Sequence, residues 1–224
     1  MRSDPPTGPL LVELTVADSP VSWMAAGFRV EANRVQIGSV TLHLIGSEHD
    51  PAGGIVAWSV HGLTPTKGHI DGLPTVVASE VPPTDTDPPH HPNGAYKIDH
   101  VVVLTSDLER TVRAFEHAGL DLRRIREANS GISTVRQAFF RLGPTIVEVV
   151  SGYGAAPTHD QDGPAIWFGL VVDVADLDEL ALVLGDGLSR IRPAVQAGRR
   201  IATLRQIDFG FGTALAAMDS HADK

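Results

Sequence analysis

Three segments of the chain share one pattern of apolar and polar positions. Val12–Phe28 reads VELTVADSPVSWMAAGF, His100–Leu120 reads HVVVLTSDLERTVRAFEHAGL, and Gly169–Leu188 reads GLVVDVADLDELALVLGDGL. Each opens on a β-branched apolar run, which predicts a strand that can be buried on both faces. Each passes a small residue and an aspartate (Ala17-Asp18, Ser106-Asp107, Ala175-Asp176) and then changes to helical spacing. Leu108, Val112 and Phe115 fall on one helical stripe, as do Leu177, Leu180, Val183 and Leu184. Ser106 with Glu109 predicts a capping box, and Asp176 with Glu179 repeats that spacing with aspartate as the cap. Gly27, Gly119 and Gly185 suit the left-handed position that ends a helix.

The residues after each glycine return to strand-like runs. After Gly27 comes RVEANRVQIGSVTLHLIG, with Asn33 and Gly38 at turn positions. After Gly119 come LDLRRIRE, VRQAFFRLG and PTIVEVVSG, and after Gly185 come LSRIRPAV, RRIATLRQ and TALAAMDS. The repeat is therefore strand, helix and three strands. GIVAWSVHG and LPTVVAS predict two further strands with no helix between them, a reduced fourth repeat. The segment VPPTDTDPPHHPN, rich in Pro and Asp, forbids a regular helix or central strand and predicts a linker. The expected organisation is a reduced N-terminal region over 1–80, a Pro-rich linker over 81–96 and a larger domain of two βαβββ repeats over 97–220.

Composition narrows the chemistry. The formal net charge is −9, and no cluster of Lys and Arg offers a polyanion a docking surface, so nucleic acid and membrane surfaces are not expected partners. Arg123-Arg124 and Arg199-Arg200 read as solvated surface charge, and His90 and His91 as solvated linker residues. Cysteine is absent, which excludes disulfides, thiolate zinc sites and cysteine nucleophiles. No signal-length apolar stretch opens the sequence, and no run approaches the roughly 20 apolar residues of a membrane span, so a cytoplasmic location is expected. Phosphate-binding glycine loops, HExxH and GxSxG are also absent.

The tandem βαβββ repeat opening on IDHVVVLTSDLERTVRAFEHAGL resembles the glyoxalase, bleomycin-resistance and extradiol-dioxygenase (vicinal oxygen chelate) superfamily. The match is best over Ile98–Val150 and extends more weakly to Met218. The resemblance implies an α+β fold in which repeated βαβββ units pair into half-open barrels around a metal ion or a bound small molecule. It points to four ligand positions, one on the first strand and one on the last strand of each of two paired repeats. His100 and Glu148 occupy the first pair. Trp167 falls at the third and Ala216 at or near the fourth, and neither side chain ligates a metal; Asp219 is shifted by an odd number of positions, to the other strand face.

Two functional readings stand on this set, beside a third in which the chain is a degenerate, purely structural or interaction module. One is a divalent-metal-dependent lyase, isomerase or dioxygenase, with the metal on His100 and Glu148 and Glu148 catalytic. The other is a non-catalytic protein that binds or sequesters a small molecule in the same cavity, with a degenerate metal site and no ion. The resemblance also admits a homodimer. Residue by residue, Glu148 lies between Val147 and Val149, where a lone carboxylate needs a partner or a water-filled cavity. Arg136 and Arg141 are its candidate structural partners. Gln137 and Phe139 share one strand face and, with Trp167, are candidate lining of a substrate pocket. His100 is a ligand or base, or else a buried histidine satisfied by one hydrogen bond. His43 stands at the repeat position equivalent to Glu148 and reads as structural. Trp23 and Trp58 read as core or rim.

Overall fold

Each Asp-bearing segment folds as a strand followed by a helix. In the computed structural model, which describes residues 8–50, 53–64, 66–81, 89–129, 134–152 and 163–220, the first repeat is β1 (Leu10–Val16), α1 (Pro20–Ala25), β2 (Arg34–Ile37) and β3 (Val40–Leu44). The reduced repeat is β4 (Ile55–His61), β5 (His69–Ile70) and β6 (Leu73–Ala78), without a helix. The next is β7 (Ala95–Leu104), α2 (Leu108–His117), β8 (Asp121–Asn129), β9 (Thr134–Leu142) and β10 (Thr145–Ser151). The last is β11 (Ile166–Val174), α3 (Leu177–Leu184), β12 (Arg192–Pro193), β13 (Arg199–Thr203), the short helix α4 (Gln206–Phe209) and β14 (Ala214–Ser220). Much of the Pro-rich segment, residues 82–88, lies outside the described residues. No helix among the described residues is long and apolar enough to cross a membrane.

The residues group into two compact units that alternate along the chain. Unit 1 comprises Met1–Val12, Ala57–Pro82 and Val102–Trp167, and unit 2 comprises Glu13–Val56, Pro83–Val101 and Phe168–Lys224. In unit 1, β8, β9 and β10 form an antiparallel meander. The helix α2 packs on it with Leu108, Val112 and Phe115, the expected stripe, all buried. Phe115 meets Phe140 of β9 and Trp58 of β4, and Trp58 meets Trp167. Asp71, before β6, accepts from Arg110 Nε at 2.7 Å and from Thr111 Oγ1 at 2.5 Å, which fixes the other side of α2.

In unit 2, β1 runs parallel to β3, and β11 runs parallel to β14. Leu14, Val16, Trp23, Leu42 and Leu44 are fully enclosed. Trp23 meets Phe28 at a tilt and Phe211 edge to face, and Phe28 meets His91 edge to face.

Helix ends depart from expectation in instructive ways. Gly27 and Gly119 do adopt positive φ, +78° and +91°, just beyond α1 and α2. The cap of α2 is Asp107, which accepts from Arg110 N at 2.9 Å, and not Ser106, whose hydroxyl donates to the Gly163 carbonyl. A carboxylate accepts the orphan amide at least as well as a hydroxyl, and Ser106 had a distant partner that sequence spacing could not reveal. Asp176 caps α3 as expected, through Asp178 N. Leu177 and Leu180 are buried, but Val183 is 53% exposed, because α3 presents only a narrow stripe to β13 and β14.

His91 is a further correction. It is buried, not solvated: Nδ1 accepts from Arg29 N at 3.0 Å and Nε2 donates to the Gln36 carbonyl at 2.8 Å. Burial lowers its pKa below the ordinary 6.5; the hydrogen bond to Gln36 opposes this and the Arg29 charge adds to it. The unfolded chain therefore takes up the proton first as pH falls. The contribution of His91 to stability is whole above about 6.5 and is lost below it. Urea unfolding between about pH 7.5 and 5.5 is expected to show a steeper loss of stability for the native chain than for His91→Gln. Equal slopes would show that His91 charges freely in the folded state.

Candidate functional site

The β9–β10 ladder sets the orientation of the unit 1 candidates. Glu148 stands opposite Phe139, and Val150 opposite Gln137. Directly opposed residues share a face, and neighbours alternate. Ala138, Phe140, Leu142, Val147 and Val149 form the buried face under α2. Gln137, Phe139 and Glu148 are therefore on the other face, half-buried. Arg124 and Arg126 of β8 extend it, opposite Phe139 and Gln137, with the Arg124 guanidinium carbon 4.9 Å from the Phe139 ring centroid.

Gln137 Nε2 donates to Glu148 Oε1. A carboxylate only accepts, so this bond fixes which way the amide points. Gln137 Oε1 is then a buried acceptor without a hydrogen-bond partner. Arg136, on the α2 face, pairs with Glu109 and Glu127, and Arg141 Nε donates to the Gly143 carbonyl. Trp167, in the same unit, buries its indole N–H without a partner. Its ring lies edge-on to Trp58 at 5.1 Å, so it belongs to the aromatic cluster.

His100 lies in unit 2 and is surrounded by charge. Its Nδ1 is 2.7 Å from Asp99 Oδ2. Asp99 also accepts from Arg199 Nη1 at 2.8 Å, Arg199 Nη2 donates to Asp173, and Lys97 Nζ is 3.0 Å from Asp173. Burial alone would raise the pKa of Asp99; the hydrogen bonds from His100 and Arg199 and their charges outweigh it and hold it at about 2. Arg199 and Arg200 are thus not solvated charges. Their side chains are 15% and 20% exposed, and Arg200 is bound to Asp219 and Asp178. Asp219 also accepts from Leu177 N at the start of α3, so it is engaged away from the ligand position at Ala216. Sequence spacing could not show these pairs, since the partners lie up to 100 residues apart. The one local signal was Asp99 next to His100.

His43 is half-buried on β3, opposite Arg34. Of the four positions pointed to by the resemblance, two carry donor atoms. Among the described residues no group of three or more His, Cys, Asp or Glu side chains comes together to hold a metal ion. A catalytic zinc-type site uses three protein ligands, so this donor set does not fit one.

The βαβββ repeats and the α+β architecture define the class: the chain has the fold of the vicinal oxygen chelate superfamily, to which glyoxalase-like proteins and extradiol dioxygenases belong. Among solved structures it is similar to a triple mutant of 4-hydroxymandelate synthase from Streptomyces coelicolor, with TM-score 0.63 and 12% identity over 98% of this chain and 94% of that one. It is similar to a xylose isomerase-like TIM barrel/4-hydroxyphenylpyruvate dioxygenase fusion protein, with TM-score 0.61 and 13% identity over 99% of this chain and 51% of the other. A catechol 2,3-dioxygenase matches with TM-score 0.56 and 13% identity over 95% and 87%. At these identities the likeness is one of fold. No protein-family model matches the sequence, and no curated protein is significantly similar to it.

Proposed function

We propose that the protein binds a small aromatic molecule bearing N–H or O–H groups, on the face of β9 and β10 that carries Gln137, Phe139 and Glu148. The observation behind this reading is the buried Gln137 Oε1, an acceptor without a partner beside a carboxylate that the same amide holds in place. Leaving a buried acceptor unmade costs roughly 1–3 kcal/mol, and a donor group on a ligand recovers it. Phe139 supplies a ring for the apolar part. Among the described residues, the pairing of only two donor side chains with the four ligand positions favours this binding role over metal-assisted lyase, isomerase or dioxygenase chemistry.

The test is a panel of phenols, catechols and aromatic amines, followed by thermal shift and calorimetry. At least one class is expected to raise the melting temperature of the native chain. Glu148→Gln and Gln137→Ala are each expected to weaken its binding about tenfold or more, as for loss of a hydrogen bond to a charged or buried partner. The competing outcome is about one divalent ion per chain in untagged protein, lost in His100→Ala. That result would replace the binding reading with the metalloenzyme one.

A further inference from the structure

In unit 2 the strand edge beside β13 carries a bulge. Leu188 bridges Leu204 and Arg192 pairs with Ile201, so three residues, 189–191, face two, 202 and 203. A bulge of this kind bends its strand and re-aims the side chains on it. The segment is held on β13 at both ends. Ser189 N donates to the Thr203 carbonyl at 2.8 Å, Thr203 N to Ser189 Oγ at 2.8 Å, and Ala194 N to the Arg199 carbonyl at 2.8 Å. Beside it lies a cavity of about 560 Å³, lined by Ser189, Arg190, Ile191, Arg192, Pro193 and Thr203. Small-molecule sites run from roughly 300 to 1,000 Å³.

The polar lining of this cavity consists of donors. The chain has 27 acidic and 18 basic residues, yet residues 188–198, LSRIRPAVQAG, hold two arginines and no carboxylate. Arg199 and Arg200, next along the chain, are each bound to aspartates. Arg190 and Arg192 have no ion pair and no side-chain hydrogen bond among the described residues. Ser189 Oγ accepts from Thr203 N and keeps its own O–H to donate, and the Thr203 hydroxyl has no partner among the described residues. We propose that this bulge binds a phosphoryl group, as free phosphate or on a small phosphate monoester. Such a group carries a charge of about −1.5 to −2 at neutral pH and three acceptor oxygens. Two guanidinium cations and two hydroxyls match that charge and that number of acceptors, and the planar fork of arginine meets phosphate oxygens in pairs. A carboxylate has two oxygens and one charge, and would leave one of the two cations unmatched. Ile191 and Pro193 border the rest of the cavity, where the body of a monoester fits. Every residue involved lies in unit 2 and none belongs to the aromatic-binding face, so the two proposals stand or fall separately.

The test is a titration of ¹⁵N-labelled full-length protein with inorganic phosphate at neutral pH and constant ionic strength, read on the backbone amide and arginine Nε–H signals. Saturable shifts are expected at residues 189–192 and 203. Arg190→Gln combined with Arg192→Gln is expected to weaken binding about tenfold or more, as for the loss of hydrogen bonds to a charged group. Arg113→Gln, which removes an exposed cation from α2 in unit 1, is expected to leave the affinity unchanged. Acetate is expected to bind several-fold more weakly than phosphate. Methyl phosphate separates the two sources of the group: tighter binding than inorganic phosphate assigns the site to a monoester, and weaker binding assigns it to the free ion. The proposal is overturned if no saturable shift appears at residues 189–192, if binding survives the double substitution, if Arg113→Gln loses as much, or if acetate binds as tightly as phosphate. Both arginines are exposed, so the double variant is expected to fold; if it does not, the titrations of the native chain decide.

Discussion

Replacing Asp18 by alanine is expected to lower the unfolding free energy by about 3–5 kcal/mol, since several buried donors lose their acceptor at roughly 1–3 kcal/mol each. Asp18 is 1% exposed. Its Oδ1 accepts from Gly54 N at 3.1 Å and Gly212 N at 2.6 Å, and its Oδ2 accepts from Thr213 N at 3.3 Å and Thr213 Oγ1 at 2.6 Å. One carboxylate thus satisfies three amides and a hydroxyl from two segments of unit 2. The substitution strands these donors where water does not easily reach. The site also depends on close backbone approach, since a Cβ on Gly212 would lie 2.3 Å from the Gly53 Cα. Asp18→Asn should be intermediate, because its carbonyl oxygen still accepts while its NH₂ faces donors. Urea unfolding of the three chains checks the order. A loss below about 1 kcal/mol for the alanine variant would mean that water replaces the carboxylate at little cost.

Trp58→Ala should cost a similar amount in unit 1, about 3–5 kcal/mol, as for other large aromatic truncations. Trp58 is 1% exposed, lies 5.9 Å from Phe115 and 5.1 Å from Trp167 between ring centroids, and donates its indole N–H to Thr75 Oγ1 at 2.7 Å. Alanine removes the ring that Phe115 of α2 and Trp167 of β11 both touch. Trp58→Phe keeps most of the ring but leaves the Thr75 hydroxyl one donor short, so about 1–2 kcal/mol is expected. Calorimetric or urea unfolding that placed the two variants together would show that the hydrogen bond, not the packing, carries the effect.

The candidate site was legible where its signal was local. Parity along β9 placed Gln137 and Phe139 together, and the β9–β10 register puts Glu148 opposite Phe139. The amide of Gln137 as the partner of Glu148 was missed in favour of Arg136 and Arg141. An arginine was the electrostatic choice for a carboxylate, but strand alternation turns Arg136 toward α2 and Glu109. His91 and Arg199 looked like surface residues for the same reason: a polar side chain is read as solvated until its partner is known. Their partners are Arg29 and Gln36 in one case and Asp99 and Asp173 in the other, all distant in the chain.

The repeat plan, the three Asp-preceded helices, the helix-less reduced repeat and the glycine stops were determined by the sequence itself, because apolar periodicity, capping and positive φ are local preferences of a few consecutive residues. The tertiary structure alone decided what each polar group does. Ser106 ceded the cap to Asp107, Asp18 left its helix to Ser19 and tied Gly54 to Gly212, and Asp99 took the His100 ring. A buried donor or acceptor is stable only when paired, and the partner is whichever group the strand pairing brings within about 3 Å, a distance with no counterpart along the chain.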